Sequence, residues 1–442
     1  MKLRRYALSS LTICLLLTGN LLAQKSVQLT PLWKTDVKSF LENSPVLAHL
    51  TGSEESQVIV AGREDLIALD GNGGELWRYR SSGRYMMSPS VLEIKGKTPL
   101  IYTSDNSGNL RCHDCKGKVV WETILAAATS WSAPVLADLN EDGHYLVIQG
   151  DESGAIYAFD ALSGKPVWKS VIKGKPSGGA VGDLDGQKGL EIAYLTTDGF
   201  LTVLHGDGSP YWEENIGGTS QTWGTAAPVI FVAADSSTKI FAASNDGSAF
   251  CYSGSGKQLW KKNVKGAVAA TLSAGDIDQD GVADLFLITQ LGVIYRFTES
   301  GQQLWNIDMQ GRTLGSGSIL DLNGNGQLEY IFCTQDGHLQ ALDLHGSPVF
   351  DYNFGHRTIN VTPAFGEISK KSPGLEMVIA GGESGLLYCF RSSSPEQAKQ
   401  QWTTYGGNEK KQNFQGGLRS SSQLSMNPIH LNWNELYLGE EI

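Results

Sequence analysis

The chain has 442 residues, 41% hydrophobic and 18% charged, with a formal net charge of -11. An acidic surface of this kind repels nucleic acid and anionic lipid headgroups, which excludes both as partners and suits soluble export or the binding of cations.

Met1 to Ala23 reads as a secretory signal. Lys2, Arg4 and Arg5 precede the apolar run Leu11 to Leu17, and Leu21-Leu22-Ala23 offers a small residue at the cleavage point. The run is short for a bilayer, which needs ~20 apolar residues. The mature chain is therefore expected to be periplasmic or secreted, with no transmembrane segment. No cysteine follows the cleavage point, so a lipid-anchored form is not expected. Removing residues 1–23 takes away those three bases and no acid, which moves the net charge from -11 to -14.

An aromatic then recurs every 44 to 48 residues, at Trp33, Trp77, Trp121, Trp168, Trp212, Trp260, Trp305 and Phe350. Most close a phrase of one type, such as Gly117-Lys118-Val119-Val120-Trp121 or Gly256-Lys257-Gln258-Leu259-Trp260. In phase with them, Ser44-Pro45-Val46, Ser88-Pro89-Ser90, Ala133-Pro134-Val135, Ala227-Pro228-Val229 and Thr362-Pro363-Ala364 open strands, with Gly179, Leu272 and Gly317 in the same place elsewhere. Proline suits a strand's first residue, where its missing N–H costs little.

Each repeat holds two further strands joined by a tight glycine turn, as at Asp151-Glu152-Ser153-Gly154 and Gln335-Asp336-Gly337. A period in the forties with four short strands predicts an all-β, eight-bladed β-propeller over residues 30–391. Trp33 precedes the first inner strand, so the N-terminal strand around Leu32 to Val37 should complete blade eight and close the ring. The outer aromatics are read as filling the wedge between blades.

Five cysteines remain after signal removal. Cys112, Cys251 and Cys389 fall in a slot held elsewhere by Ala68 and Ala341, a small inward position on a strand. Cys112-His113-Asp114-Cys115 has a metal-like or redox-like spacing, but Cys115 lies in the turn position of Gly71. These thiols are read as space-filling, with a local Cys112–Cys115 disulfide left open.

Four loops between first and second strands carry regularly spaced acids. Asp276, Asp278, Asp280 and Asp284 form D-x-D-x-D-G-x-x-D around Gly281, and Asp321, Asn323, Asn325 and Glu329 repeat it around Gly326. Alternate side chains converge on one hard cation while glycine permits the sharp turn, so structural calcium is expected at both. An EF-hand would need Glu at position twelve, where Leu287 stands. Blade three begins the pattern with Asp138, Asn140, Asp142 and Gly143 but has Leu146 in place of the last carboxylate. Blade four keeps Asp183, Asp185 and Glu191, with Gln187 in the middle.

On the opposite face, the connections between blades bring Arg84, Tyr85, Trp131, Lys175, Trp223, Arg312, His356 and Arg357 to the mouth of the central channel. Bases offer charge or a planar fork to carboxylates, and indoles offer a stacking face, so this funnel is the expected binding site for an anionic glycan or a carboxylate-bearing segment. Acids in the neighbouring turns, Asp151, Asp198, Asp246 and Asp336, partly neutralise it. Past Arg391 the repeat stops. Residues 392–442 form a tail, low in apolar content until Ile429 to Leu438, whose Trp402 lies too far along to be a ninth blade aromatic.

The blade phrases, such as Ala68-Leu69-Asp70-Gly71-Asn72-Gly73-Gly74-Glu75-Leu76-Trp77, resemble quinoprotein-like (PQQ-like) propeller repeats. Gly275-Asp276-Ile277-Asp278-Gln279-Asp280-Gly281 resembles the calcium loops of FG-GAP repeats. The blades are similar to those of the bacterial outer-membrane assembly scaffold propellers, and Trp402-Thr403-Thr404-Tyr405-Gly406-Gly407-Asn408 looks like a segment that accompanies such propellers in exported proteins.

The resemblance implies a scaffold that binds envelope or extracellular proteins. Pyrroloquinoline quinone is not expected, because that cofactor's dehydrogenases place adjacent cysteines beside it and here two residues intervene. No Gly-x-Ser-x-Gly elbow, His-Glu-x-x-His helix or phosphate-cradling glycine loop is present. The reading is a non-enzymatic binding propeller. A quinone-dependent dehydrogenase and a polysaccharide lyase on the same fold are the alternatives.

Overall fold

The computed structural model describes residues 27–393 apart from 53–54, 130–131, 219–225, 269, 310, 314, 358–360 and 370–374, together with Gln400–Trp402 and Phe414–Gln415. The expected signal lies outside the described residues, as does most of the tail. Among the described residues no helix is long and apolar enough to cross a membrane.

Eight antiparallel four-stranded units follow one another along the chain. Blade one comprises Val46–Ala48, Gln57–Ala61, Asp65–Leu69 and Glu75–Arg80. The inner strands of blades two to eight are Ser90–Leu92, Val135–Ala137, Pro176–Gly182, Val229–Val232, Ser273–Gly275, Ser318–Leu320 and Ala364–Gly366. Seven begin within one residue of the expected strand starts, and that of blade four begins three residues before Gly179, at Pro176. From blade eight round to blade six the inner strands of successive blades touch one another, as expected of strands that line the axis of a ring.

Second and third strands are covered on both faces by neighbouring blades and are mostly buried, wholly so in Gln57–Ala61 and Asp284–Ile288. Their near-continuous apolar composition follows from that two-sided burial. Fourth strands alternate between half-buried and exposed, as in Gln303–Asp308. Blade eight consists of Ala364–Gly366, Glu376–Ala380 and Leu386–Ser392 completed by the N-terminal Leu29–Asp36, with Trp33 opposite Cys389. The expected closure is present, and the closing strand begins three residues earlier than its sequence pattern suggested.

The recurrent tryptophans do more than fill wedges. Each indole N–H donates to a main-chain carbonyl in the outer turn of the next blade. Trp33 reaches Gly71 at 3.0 Å, Trp77 reaches Cys115 at 2.8 Å and Trp121 reaches Ala161 at 2.9 Å. Trp168 reaches Gly206 at 2.9 Å, Trp212 reaches Gly254 at 2.8 Å, and Trp260 and Trp305 reach Glu299 and Leu344 at 2.9 Å each.

Those turns carry a glycine against the same indole ring. Gly208 has φ +82° and a Cβ there would lie 2.7 Å from the Trp168 ring, so both conformation and space demand glycine. The Gly-x-x-x-Trp phrase therefore encodes both halves of one contact: its glycine receives the previous indole and its tryptophan reaches the next blade. At the seventh position Phe350 has no donor. The seam between blades seven and eight is instead joined by ring contacts of Tyr352 with Phe390 and of Phe354 with Tyr388, with centroids 5.2 Å and 5.1 Å apart.

Two short tail strands extend the ring inward. Gln400–Trp402 pairs antiparallel with the inner strand of blade seven, and Phe414–Gln415 pairs parallel with that of blade five.

Trp168→Phe, which keeps a ring but loses the donor, should lower unfolding stability by about 1 kcal/mol. Trp168→Ala should cost about 2–3 kcal/mol because contacts are lost as well. Urea denaturation measures both, and equal stability of Trp168→Phe and wild type would remove the hydrogen bond from the account.

Candidate functional site

The ring presents two faces. One carries the loops between first and second strands together with the outer turns between third and fourth. The other carries the hairpins between second and third strands and the connections between blades.

On the first face, the loops of blades three, six and seven share one backbone course. Glu141, Gln279 and Gly324 all have positive φ, and Gly143, Gly281 and Gly326 follow at φ +85°, +90° and +85°. The first Asp of each loop closes it by accepting two or three N–H groups. Asp276 accepts from Asp280 and Gly281 at 2.9 Å each, Asp138 from Asp142 and Gly143 at 3.0 and 2.8 Å, and Asp321 from Gly326 at 2.9 Å.

Asp276, Asp278 and Asp280 each offer an oxygen, and the three lie within 4.8 Å of one another. Their mutual repulsion adds to burial in raising Asp276 above the usual carboxylate range. That much suits a hard cation. The fourth expected ligand is otherwise engaged. Both oxygens of Asp284 accept from Arg296, at 2.8 and 2.9 Å, and the same guanidinium grips Asp278 and donates to the Leu344 carbonyl at 2.7 Å. The four-carboxylate arrangement is thus three carboxylates beside an Asp–Arg pair. Arg296 stands in the third-strand slot, opposite Trp305, that Cys112 and Cys251 fill against Trp121 and Trp260. A charge in that otherwise small-residue slot was the signal for it in the sequence.

In blades four, six, seven and eight, the acid that opens the second strand has a role the sequence did not show. Each accepts a main-chain N–H from the preceding loop: Glu191 from Leu184 at 2.8 Å, Asp284 from Ile277 at 3.1 Å, Glu329 from Leu322 at 2.7 Å and Glu376 from Ile368 at 2.9 Å. The partner of the other oxygen differs. Arg296 serves Asp284 and Arg391 serves Glu376 at 2.8 Å. In blade four His205 lies 3.5 Å from Glu191 and, with Asp185, completes a trio of ligand-type atoms within 4.8 Å of one another.

In blade seven, among the described residues, that partner is the Asn323 amide, donating to Glu329 at 3.0 Å. Burial pushes the Glu329 carboxyl up to about 7, and Asp321 and Asp343 add to the shift. The side chain of Asn325 accepts from the Gln327 N–H at 2.7 Å.

The Cys112-His113-Asp114-Cys115 motif belongs to the core and a turn. All five cysteines are free thiols. Cys112 is fully buried, and burial pushes its thiol up to about 12. His113 is buried between Thr103 Oγ1 at 3.2 Å and the Gly117 carbonyl at 3.3 Å, and burial pushes it down to about 4. Neither group has the exposure of a reactive or ligating centre.

On the second face the structure describes six of the eight expected funnel residues and gives them different surroundings. Trp131 and Trp223 lie outside the described residues. Tyr85 is 1% exposed and packs in the core of blades one and two, so its ring faces no ligand. It serves as wedge filling, a role the sequence reserved for the outer aromatics.

Arg84, Lys175 and Arg312 occupy equivalent places in blades two, four and seven. Each offers its carbonyl to a hairpin N–H of its own blade, that of Asn106, Thr197 and Gln335 respectively. Their charges are handled differently: Arg84 pairs with Glu42, and Lys175 reaches Glu152 at 3.4 Å. Arg312 and Arg357 are exposed, on the adjacent connections leading into blades seven and eight. His356 is half-buried, stacked on Tyr388 and 2.6 Å from its hydroxyl. A cavity of about 20 Å³ between blades four and five, lined by Ser177, Thr196, Gly199, Ala226 and Asn245, holds about one water and no sugar.

This architecture defines an eight-bladed propeller of the quinoprotein-like class. The family model described as outer membrane protein assembly factor BamB matches residues 29–187, 94–277 and 197–410, and the chain belongs to that family. It is similar to the outer membrane protein assembly factor BamB of Yersinia pestis, 24% identical over 180 residues, which cover 39% of this chain and 43% of that relative. The chain thus spans under half the length of the curated relative it matches. Among solved structures, BamB from Moraxella catarrhalis superposes with a TM-score of 0.58 at 17% identity, covering 82% of this chain and 98% of that one. Saccharomyces cerevisiae Sqt1 superposes at 0.63 with 14% identity, again over 82% and 98%. At such identities the likeness concerns the fold.

Glu329 yields a pH prediction. Its carboxyl sits near 7 in the fold against 4.5 as a free side chain, so its contribution is fully present below pH about 4.5 and is lost as pH rises through about 7. In metal-free buffer, Glu329→Gln should therefore gain on wild type by roughly 3 kcal/mol between pH 4.5 and 8, read from urea unfolding. A constant difference across that range would show that Glu329 titrates normally.

Proposed function

We propose that the protein is an exported, non-enzymatic scaffold of the bacterial envelope that binds other proteins during outer-membrane assembly. The observation that carries this reading is the family match, which runs through every blade of the ring rather than through one segment. The relatives in Yersinia pestis and Moraxella catarrhalis are BamB proteins, and the former is an assembly factor by name. The physical character of the ring supports the same role. A ring interlocked from first strand to last holds its loops in fixed relation, and rigid loops bind at low entropic cost. The exposed Arg312 and Arg357 provide charge-assisted contacts on the rim, suited to carboxylates of a partner protein or of an anionic glycan.

Within this reading calcium is a structural ion, held by Asp276, Asp278 and Asp280 in blade six. Asp321, Asn323, Asn325 and Glu329 are the corresponding set in blade seven, where Glu329 lacks an arginine. The ion would stiffen the loops and take no part in chemistry.

Cross-linking of the tagged full chain in its native envelope, in calcium and in chelator, tests the reading. A reproducible protein partner is expected, with yield reduced severalfold by Arg312→Glu with Arg357→Glu and reduced by chelation less in Asp280→Asn than in wild type. A glycan or small-molecule product without any protein partner would overturn the scaffold.

A further inference from the structure

The tail strands lie where a closed propeller keeps its remaining free strand edges. Within its own blade every inner strand is paired on its outer side only, so its other edge of N–H and C=O groups faces the axis. Two of the eight are covered by the chain's own tail: Ile319 and Leu320 face Trp402 and Gln400, and Ile230 and Phe231 face Phe414 and Gln415. The first tail strand also touches the inner strand of blade six, and the second that of blade four, so the two together run along four consecutive blades.

The inner strands carry no charged residue from Val46–Ala48 round to Ala364–Gly366. Recognition at this surface therefore rests on the main chain, and the two strands seated there, Gln400–Trp402 and Phe414–Gln415, each pair an aromatic with glutamine. One pairing is antiparallel and the other parallel. An edge that takes both directions selects for extended backbone rather than for one sequence, which is the logic of β-strand addition.

We propose that the axial edge of the ring is a peptide-binding surface, that the tail strands Gln400–Trp402 and Phe414–Gln415 occupy it in the resting chain, and that an extended segment of a client protein takes it when they leave. The inference rests on the scaffold reading and supplies its interaction mode. The tail acts as a tethered competitor, raising the concentration a client must reach and keeping the edges from pairing with a second copy.

The test uses the full chain with Gln401→Pro, Trp402→Pro, Phe414→Pro and Gln415→Pro, which removes strand donors from the tail and leaves the ring intact. Amide hydrogen exchange should accelerate by about tenfold or more in 229–232 and 318–320, while the second strands of blades one to three keep wild-type rates and show that the ring is folded. A synthetic peptide of residues 398–417 should then bind the variant at one copy per ring and restore protection, and should not bind wild type.

Unchanged exchange in 229–232 and 318–320 would show that the tail does not hold these edges. Accelerated exchange without peptide binding would show that the freed edges are not a binding surface. Either result overturns the proposal. Peptide binding in the absence of any cross-linked envelope protein would instead retain the surface and remove the scaffold reading.

Discussion

One donor–acceptor pair, repeated around the ring, sets the terms for everything else: an indole N–H on the outer strand of one blade and a main-chain carbonyl in the outer turn of the next. Seven tryptophans make this bond, between Trp33 with Gly71 and Trp305 with Leu344. The bond satisfies two groups that would otherwise be half-desolvated at the seam, and it fixes the angle between blades by directional geometry, which apolar wedging alone cannot do. It also explains the glycine at positive φ beneath each ring. Because Trp33 lies on the strand that completes blade eight, the first of these bonds couples ring closure to the blade-to-blade clasp.

The loop face follows from the same economy. Acids there are deployed first to close their own loops, by accepting main-chain N–H groups, and only then are oxygens left over for anything else. Where a blade supplies an arginine, as Arg296 does for Asp284, the leftover charge is neutralised within the fold and linked to the next blade through Leu344. Where it does not, as at Glu329, burial favours the proton. Neighbouring loops of similar sequence thus meet different electrostatic fates, decided by one residue on a strand some distance along the chain.

Fold and closure were legible because they depend on period. Aromatics every 44 to 48 residues, prolines at strand starts and glycine turns each repeat eight times or nearly so, and repetition averages out local ambiguity. The cysteines were legible for the same reason, as Cys112 and Cys251 occupy a slot held by alanine elsewhere. Site residues were less legible because they depend on single departures from the repeat. Tyr85 has the composition of a ligand contact, yet its place just before an inner strand turns it into the core. Asp284 completes a cation-binding pattern in one dimension, and Arg296, twelve residues on, answers it in three. The inner-edge pairing of Gln400–Trp402 and Phe414–Gln415 carries no periodic signal at all, since it is a contact between a non-repeating tail and the ring.

The central claim is that the indole–carbonyl bonds hold the ring shut in solution. Hydrogen exchange of the indole N–H groups, followed by nuclear magnetic resonance on tryptophan-labelled protein, addresses it directly. Protected indole resonances from Trp33, Trp77, Trp121, Trp168, Trp212, Trp260 and Trp305, exchanging only on global unfolding, are the predicted result. Indole protons at these positions that exchange as fast as those of free tryptophan would contradict the account.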